Sequence, residues 1–338
     1  MERDPKNEFY FQWHFLNACN LRCKHCYQES YTPADMDLDT LFKVANEIIK
    51  ALTMWNMYGR ISLTGGEPFV SKHLFELLDF FDKNERIVSI DILTNGTLIT
   101  DEDVIKLKKI SKLHQVQISL DGGTPEIHDS VRGNGSFEKA VSGIRKLKSS
   151  GLEVALMYTL QKLNADDYNN YIDVAIRENV DAITIERVTP CGQSALEDIF
   201  PSEKIKEIYN NITLRANDMA SKPVIRRGRP LWVNTLCNNT RTDRNIGGFC
   251  PVGFTSLAIL HDGTVLPCRR LEIPIGNILT DGLFKIWYAS DVLWRIRDKN
   301  NLKGKCRNCE NIPSCGGCRA IAYAATGDYM EEDPQCWK

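Results

Sequence analysis

Three cysteines stand together near the N-terminus, in CNLRCKHCY at residues 19–27, with C-x3-C-x2-C spacing directly behind the short apolar run 9–15. Thiolates are soft ligands, and three on one tight loop make a metal site with one ligand missing. A closed [4Fe–4S] centre takes four cysteines, so Cys19, Cys23 and Cys26 would leave one iron open to a substrate or cofactor. Catalysis needs such an open position; electron carriage does not. The same spacing also admits a zinc loop or three buried structural cysteines, and the downstream residues bear on that choice.

Polar residues recur where apolar runs end. TGGEP, residues 64–68, offers Gly65 and Gly66, which let backbone carbonyls approach a ligand, followed by the carboxylate of Glu67 and by Pro68. LTNGTLI follows the next run, with Asn95 either facing a ligand or only shaping its Asn-Gly turn. ISLDGG and HDSVRG then supply Ser119 and Arg132, the latter a guanidinium able to hold a carboxylate through two hydrogen bonds. His128 and Asp129 read as solvated loop residues.

The last third carries a second group of cysteines. Cys250 and Cys268 frame a C-x12-G-x4-C segment that reads as a hairpin around Asp262-Gly263. CRNCENIPSCGGC then places Cys306, Cys309, Cys315 and Cys318 at C-x2-C-x5-C-x2-C spacing, with Cys336 beyond. Twelve cysteines without a secretory signal point to metal rather than to a disulfide framework. Spacing alone permits two zinc ribbons. Cys237 stands apart, and Cys191 reads as a buried small hydrophobe. Arg269 and Arg270 directly follow Cys268 and would suit an acidic substrate, unless one merely pairs with a surface carboxylate.

The elements that must position these residues follow from periodicity. From residue 9 to about 190, β-rich runs alternate with amphipathic segments, the pattern of βα units on a parallel sheet. Strands are expected near 9–15, 60–64, 88–93, 115–120, 153–159 and 182–187, and helices near 38–55, 72–84, 101–111, 137–150 and 165–178. A further helix, 202–220, bridges to a Pro/Gly-punctuated stretch at 222–230. Beyond 231 periodicity is weak except at 282–297, and such a segment needs metal staples to fold. Six parallel strands with right-handed crossovers curl into an open barrel whose ligands sit at the C-terminal strand ends, where the motifs fall. Hydrophobic content of 43% supports a sizeable core, and a net charge of −2 gives no general attraction for nucleic acid or an anionic membrane. No run reaches the length of a membrane span, and the charged start lacks a signal peptide, so a cytoplasmic location is expected.

Together these motifs resemble a radical S-adenosylmethionine (SAM) enzyme with a C-terminal SPASM domain, from about Phe9 to Trp337. The resemblance implies a (β/α)6 partial TIM barrel at 1–200, a bridging helix and linker at 201–230, and a small cysteine-rich auxiliary-cluster domain at 231–338. In that family SAM chelates the open iron of a [4Fe–4S] cluster, is cleaved to a 5′-deoxyadenosyl radical, and the radical abstracts hydrogen from substrate. By resemblance the Gly65-Gly66-Glu67-Pro68 motif receives the SAM amino group, while Ser119 and Arg132 match positions that hold its carboxylate. Two auxiliary iron–sulfur clusters are implied: a distal one on Cys306, Cys309, Cys315 and Cys336, and a proximal one on Cys250, Cys268 and Cys318. Either Cys237 completes the proximal set, or that centre keeps an open iron or is a [2Fe–2S] cluster. The final x2 gap departs from the usual x3 and matches the CGGC form of haem-pathway and quinone-cofactor relatives. Sulfatase-maturing relatives carry an aspartate where Arg269 stands.

The leading expectation is an enzyme that crosslinks or epimerises a ribosomally made peptide. With no room before the first strand for a leader-binding domain, it would work with a separate leader-binding protein and a flavodoxin- or ferredoxin-type reductant. A tetrapyrrole-modifying decarboxylase of the haem-biosynthesis type is the alternative, supported by the tail from Leu302 to Cys336 and opposed by Tyr27, where those relatives have arginine. An iron–sulfur electron carrier or zinc-stabilised binding module is the non-enzymatic alternative, and neither needs the strand-end motifs.

Overall fold

The computed structural model describes residues 7–31, 36–219, 223–235 and 250–338. Among these, the strands are β1 (Glu8–Leu16), β2 (Tyr58–Gly65), β3 (Ile87–Thr94), β4 (Leu113–Ser119), β5 (Val154–Leu160), β6 (Ala182–Arg187), β7 (Val224–Arg226), β8 (Ser256–Ile259), β9 (Thr264–Leu266) and β10 (Gly276–Asn277). They form one open sheet in the order β10-β9-β8-β1-β2-β3-β4-β5-β6-β7. Strands β1 to β7 are parallel throughout, and β8 also joins β1 in parallel, from Tyr10 opposite Ser256 to Trp13 opposite Ile259. The expected hairpin is the β8–β9 pair, turned by Gly263 at φ 84° and by Asp262, which accepts from Thr264 N at 2.9 Å.

Helices α1 (Leu38–Trp55), α2 (Leu74–Lys83), α3 (Asp101–Leu107), α4 (Pro125–Arg132), α5 (Ser136–Ser149), α6 (Tyr168–Arg177) and α7 (Ser202–Asp218) alternate with the parallel strands. The first shows why these segments are helical. Asp37 caps it by accepting from Thr40 N at 2.7 Å, and Leu41, Val44, Ala45, Ile48 and Leu52 bury one stripe against the sheet. Asn56 ends it in the left-handed conformation that asparagine tolerates.

Three expectations need correcting. The segment 125–132 is a helix rather than a loop, because Thr124 caps it and Pro125 occupies its first turn, where a missing N–H costs nothing. The periodic run 282–297 is two helices, α8 (Leu283–Ala289) and α9 (Asp291–Arg297), broken at Ser290, whose hydroxyl accepts from Leu293 N to start the second. The Pro/Gly stretch at 222–230 holds β7, hydrogen-bonded to β6.

Side chains alternate sharply across the sheet. On β1, Phe9, Phe11, Trp13 and Phe15 are fully buried on the helix-covered face, whereas Tyr10 and Gln12 face the concave side. Each buried aromatic contributes about 1.5–3 kcal/mol. The same alternation on β2 to β6 leaves the concave face lined with polar groups such as Ser62, Asp91, Gln115, Thr184 and Glu186. The C-terminal region, with α10 (Gly304–Arg307) and α11 (Arg319–Thr326), packs a smaller core around Leu271, Leu302 and Met330. Among the described residues no helix is long and apolar enough to cross a membrane.

Candidate active site

The N-terminal cysteine loop leaves the C-terminal end of β1 and is held on both sides. Lys24 N donates to Val131 O in α4 at 3.0 Å, and Glu67 N donates to Ala18 O at 2.9 Å. Gly66 is required there, because a Cβ would lie 2.0 Å from Ala18 O. Each thiol has a donor facing it: Leu21 N at 3.4 Å from Cys19 Sγ, Gln28 N at 3.4 Å from Cys26 Sγ, and Arg132 Nη1 at 3.7 Å from Cys23 Sγ. Burial pushes the Cys19 thiol up to about 11 and raises Cys23, so these groups become thiolates only on binding metal. Three thiols on one loop that border one cavity, each with a donor facing it, are the donor set an iron–sulfur cluster would take, and the adjoining cavity leaves room for a further ligand.

That cavity, about 640 Å³, is lined by Cys19, Cys23, Cys26, Gly65, Gly66, Asn95, Ser119 and Arg132 and also by Cys268, Arg269 and Arg270. Asn95 is fixed by donating to Asn20 Oδ1 at 2.9 Å and accepting from Thr97 N. Arg132 is buried and commits its Nε to Asp121 Oδ2 at 2.6 Å, leaving Nη1 for Cys23 and the cavity. Burial pushes Asp121 up, yet Arg132 beside it and the Thr159 N–H outweigh that and hold it below the usual carboxylate value.

Glu67 takes a role different from the expected one. Its carboxylate is fully buried behind the cavity wall, accepting from Thr94 Oγ1 at 2.6 Å, Asn95 N at 2.8 Å and Phe69 N at 3.1 Å. With those donors it braces the ends of β2 and β3. Pro68 is likewise buried away from the cavity, opening a short 3₁₀ turn. His128 and Asp129 are also corrected. His128 is buried and its Nδ1 accepts from Asp121 N at 3.1 Å, while Asp129 accepts from Gly135 N, Ser136 Oγ and Phe137 N, which starts α5.

Sequence reasoning passed over His25 and used Tyr27 only as a departure from haem-pathway relatives. The His25 ring lies 3.3 Å from Asp121 Oδ2 and 3.4 Å from Arg132 Nη2, and burial lowers its pKa to about 4, so it is neutral at physiological pH. The carbonyl of Tyr27 accepts from Arg269 Nη2 at 2.9 Å, and the same guanidinium lies 4.7 Å from the centre of the Tyr27 ring. Tyr27 follows Cys26 and Arg269 follows Cys268, so this contact joins the two cysteine regions directly. Arg269 also binds Glu272 at 2.9 Å, and Arg270 reaches Glu186 at 3.4 Å.

The remaining cysteines fall into two electrostatic sets. Burial pushes the Cys250 thiol up to about 11, with Cys268 and Cys318 adding to the rise. Cys306 is raised by burial and by Cys315, and Cys336 by burial and by Cys306. Cys309 is half-buried on the same loop as Cys306. Cys191 is half-buried rather than in the core, and Cys237 lies outside the described residues.

Comparison with known proteins agrees with this arrangement. Residues 13–175 match the radical SAM superfamily and residues 250–310 match SPASM, an iron–sulfur cluster-binding domain. An AdoMet-dependent heme synthase from Methanosarcina barkeri is 30% identical, covering 96% of this chain and 95% of its own. Mycofactocin maturase MftC from Mycolicibacterium smegmatis is 29% identical, covering 96% and 81%. The fold superposes on Streptococcus suis SuiB, solved with its precursor peptide SuiA, at a TM-score of 0.76 and 17% identity, covering 98% and 76%. With the cysteine loop, the glycine pair and the second cysteine region placed around one cavity, the chain belongs to the radical SAM superfamily, in the branch that carries a C-terminal SPASM domain.

Proposed function

We propose that this radical SAM enzyme acts on a ribosomally synthesised peptide, which it crosslinks or epimerises. The observation that carries the reading is that one cavity is bordered both by Cys19, Cys23 and Cys26 and by Cys268, so that a substrate in it would touch both metal-binding regions. SuiB, which shares the fold, holds a precursor peptide, and MftC is a maturase. When bound, the SAM-binding [4Fe–4S] cluster supplies the electron that cleaves SAM, and the auxiliary clusters can accept the electron left after hydrogen abstraction.

The protein's own residues position the reactants. Gly65 and Gly66 allow their carbonyls to meet a cationic amino group, and Arg132, fixed by Asp121, presents its remaining N–H groups to a carboxylate. Ser119 and Asn95 add polar contacts along the same wall. The three N-terminal cysteines hold the catalytic cluster, and the C-terminal sets hold the distal and proximal ones, within a division into barrel 1–200, bridge 201–230 and SPASM region 231–338. A separate leader-binding protein and a flavodoxin- or ferredoxin-type reductant complete the system.

The test is anaerobic incubation of reconstituted protein with SAM, dithionite and candidate precursor peptides, any encoded beside its gene included. Peptide-dependent 5′-deoxyadenosine, with loss of two hydrogens or uptake of one solvent deuterium by the peptide, is the expected result. A second reading, tetrapyrrole decarboxylation, is favoured by the heme synthase relative that matches nearly end to end. Release of carbon dioxide from a porphyrin tetracarboxylate, with no change in the peptide, would establish it instead.

A further inference from the structure

The cavity lining is rich in arginine, and the fate of each guanidinium can be followed. Arg132, Arg187 and Arg269 are bound to Asp121, Asp333 and Glu272, and Arg60 lies 3.9 Å from Glu8. Arg229 and Arg270 share Glu186 and lie within the field of Cys250, Cys268 and Cys318, so thiolates of a metal site there would balance them. Arg226 is different. It sits on β7 opposite Thr184 of β6 and faces the lumen, away from both cysteine sets. Its Nη2 donates at 2.7 Å to Gln115 Oε1, a neutral acceptor, and no described carboxylate lies within ion-pair distance. Asp91 and Glu153 act on it only through space; Asp91 is engaged by His114 at 2.9 Å, and Arg60 adds like charge. A guanidinium cannot shed its proton to escape this setting. A half-buried cation with only a neutral partner, aimed into a substrate cavity, is the setting in which a ligand anion gains most.

We infer that Arg226 is a specificity-determining residue that receives a carboxylate of the substrate at the floor of the lumen, on the far side from the SAM-facing wall. The inference rests on the proposed substrate occupying this cavity. It adds that the substrate is anionic and reaches down to β7, and it moves the recognition of negative charge from Arg269 and Arg270, which are already paired. Gln115 holds one Nη of the guanidinium, which leaves its other N–H groups for a ligand in the cavity. A carboxylate there could come from an acidic peptide side chain or from a porphyrin carboxylate, and the chemistry of the contact is the same.

The experiment uses cluster-loaded protein with SAM bound and two probe pairs: a porphyrin tetracarboxylate against its tetramethyl ester, and a synthetic glutamate-containing peptide against its glutamine counterpart. Binding is read by fluorescence quenching or calorimetry, without turnover. For the probe that binds, the acid form is expected to bind roughly tenfold or more tighter than its neutral partner, the size of a charge-assisted hydrogen bond. Arg226→Gln should erase that preference, and Arg226→Lys should keep part of it. Iron content and thermal midpoint show that the variants are folded, and the lysine variant alone suffices if the glutamine variant is not. Equal binding of acid and neutral forms by the parent, or an undiminished preference in Arg226→Gln, overturns the inference. The identity of the binding probe separates the two claims: Arg226-dependent binding of the porphyrin alone upholds this site and overturns the peptide reading, whereas charge-independent binding of the peptide does the reverse.

Discussion

Glu67 shows how a residue of a recognisable motif can brace the wall of a site from behind. Three donors converge on its carboxylate, from the end of β3 and from the turn that follows β2, in a position with no exposure to water. A glutamine there keeps the shape but turns an N–H₂ group toward at least one donor. Glu67→Gln should therefore destabilise the SAM-free protein by about 1.5–3 kcal/mol, the range for hydrogen bonds to a charged group. Denaturant unfolding of cluster-loaded protein without SAM is the measurement. An unchanged midpoint, together with weakened SAM binding, would return Glu67 to the role of direct ligand. Cys19, Cys23 and Cys26 were legible because ligand spacing on a short loop is itself a sequence pattern. The orientation of the Glu67 carboxylate was not, since the motif is compatible with a side chain facing either side of the wall.

At the scale of elements, the C-terminal tail is stitched to the barrel by a pair that no local pattern announces. Arg187, the last residue of β6, forms a two-pronged ion pair with Asp333 at 2.8 and 2.9 Å and also donates to Gln335. Both members of the ion pair are buried, and Asp333 additionally accepts from Cys318 N at 2.8 Å, so the bridge fixes a cysteine of the second region against the sheet. Removing one partner of a buried pair strands the other charge. Asp333→Asn should cost about 3–5 kcal/mol of stability, and Arg187→Met combined with Asp333→Leu should cost less than the single change. Thermal unfolding of the three proteins decides this; additive losses would show that the pair is not coupled. The helices and central strands were readable because burial of one stripe or one face repeats along the chain. Contacts such as Arg187–Asp333 and Glu186–Arg229–Arg270 leave no such trace, since their partners come from distant segments brought together only by the folded chain. The break at Ser290 was hidden for a related reason: apolar periodicity continues through it, and only the capping hydroxyl marks the new start.

For the whole molecule, the sheet order carries the functional argument. Strand β8, from the cysteine-rich region, pairs directly with β1, the strand that delivers the N-terminal cysteine loop, and the Tyr27–Arg269 contact ties the two regions again at the cavity. Two metal-bearing regions held this rigidly can exchange an electron with one substrate between them, which zinc at the second region could not accept. The metal in the C-terminal region is therefore the deciding quantity. Cys19, Cys23 and Cys26 changed together to alanine should abolish 5′-deoxyadenosine formation while the chain, reconstituted without oxygen, retains roughly 6–8 irons, according to whether the proximal centre has two irons or four. Those irons should give reducible iron–sulfur signals in electron paramagnetic resonance. About two zincs with no iron in protein purified without oxygen would leave the substrate radical without an internal oxidant, and the arrangement around Tyr27 and Arg269 would then be a structural clasp alone.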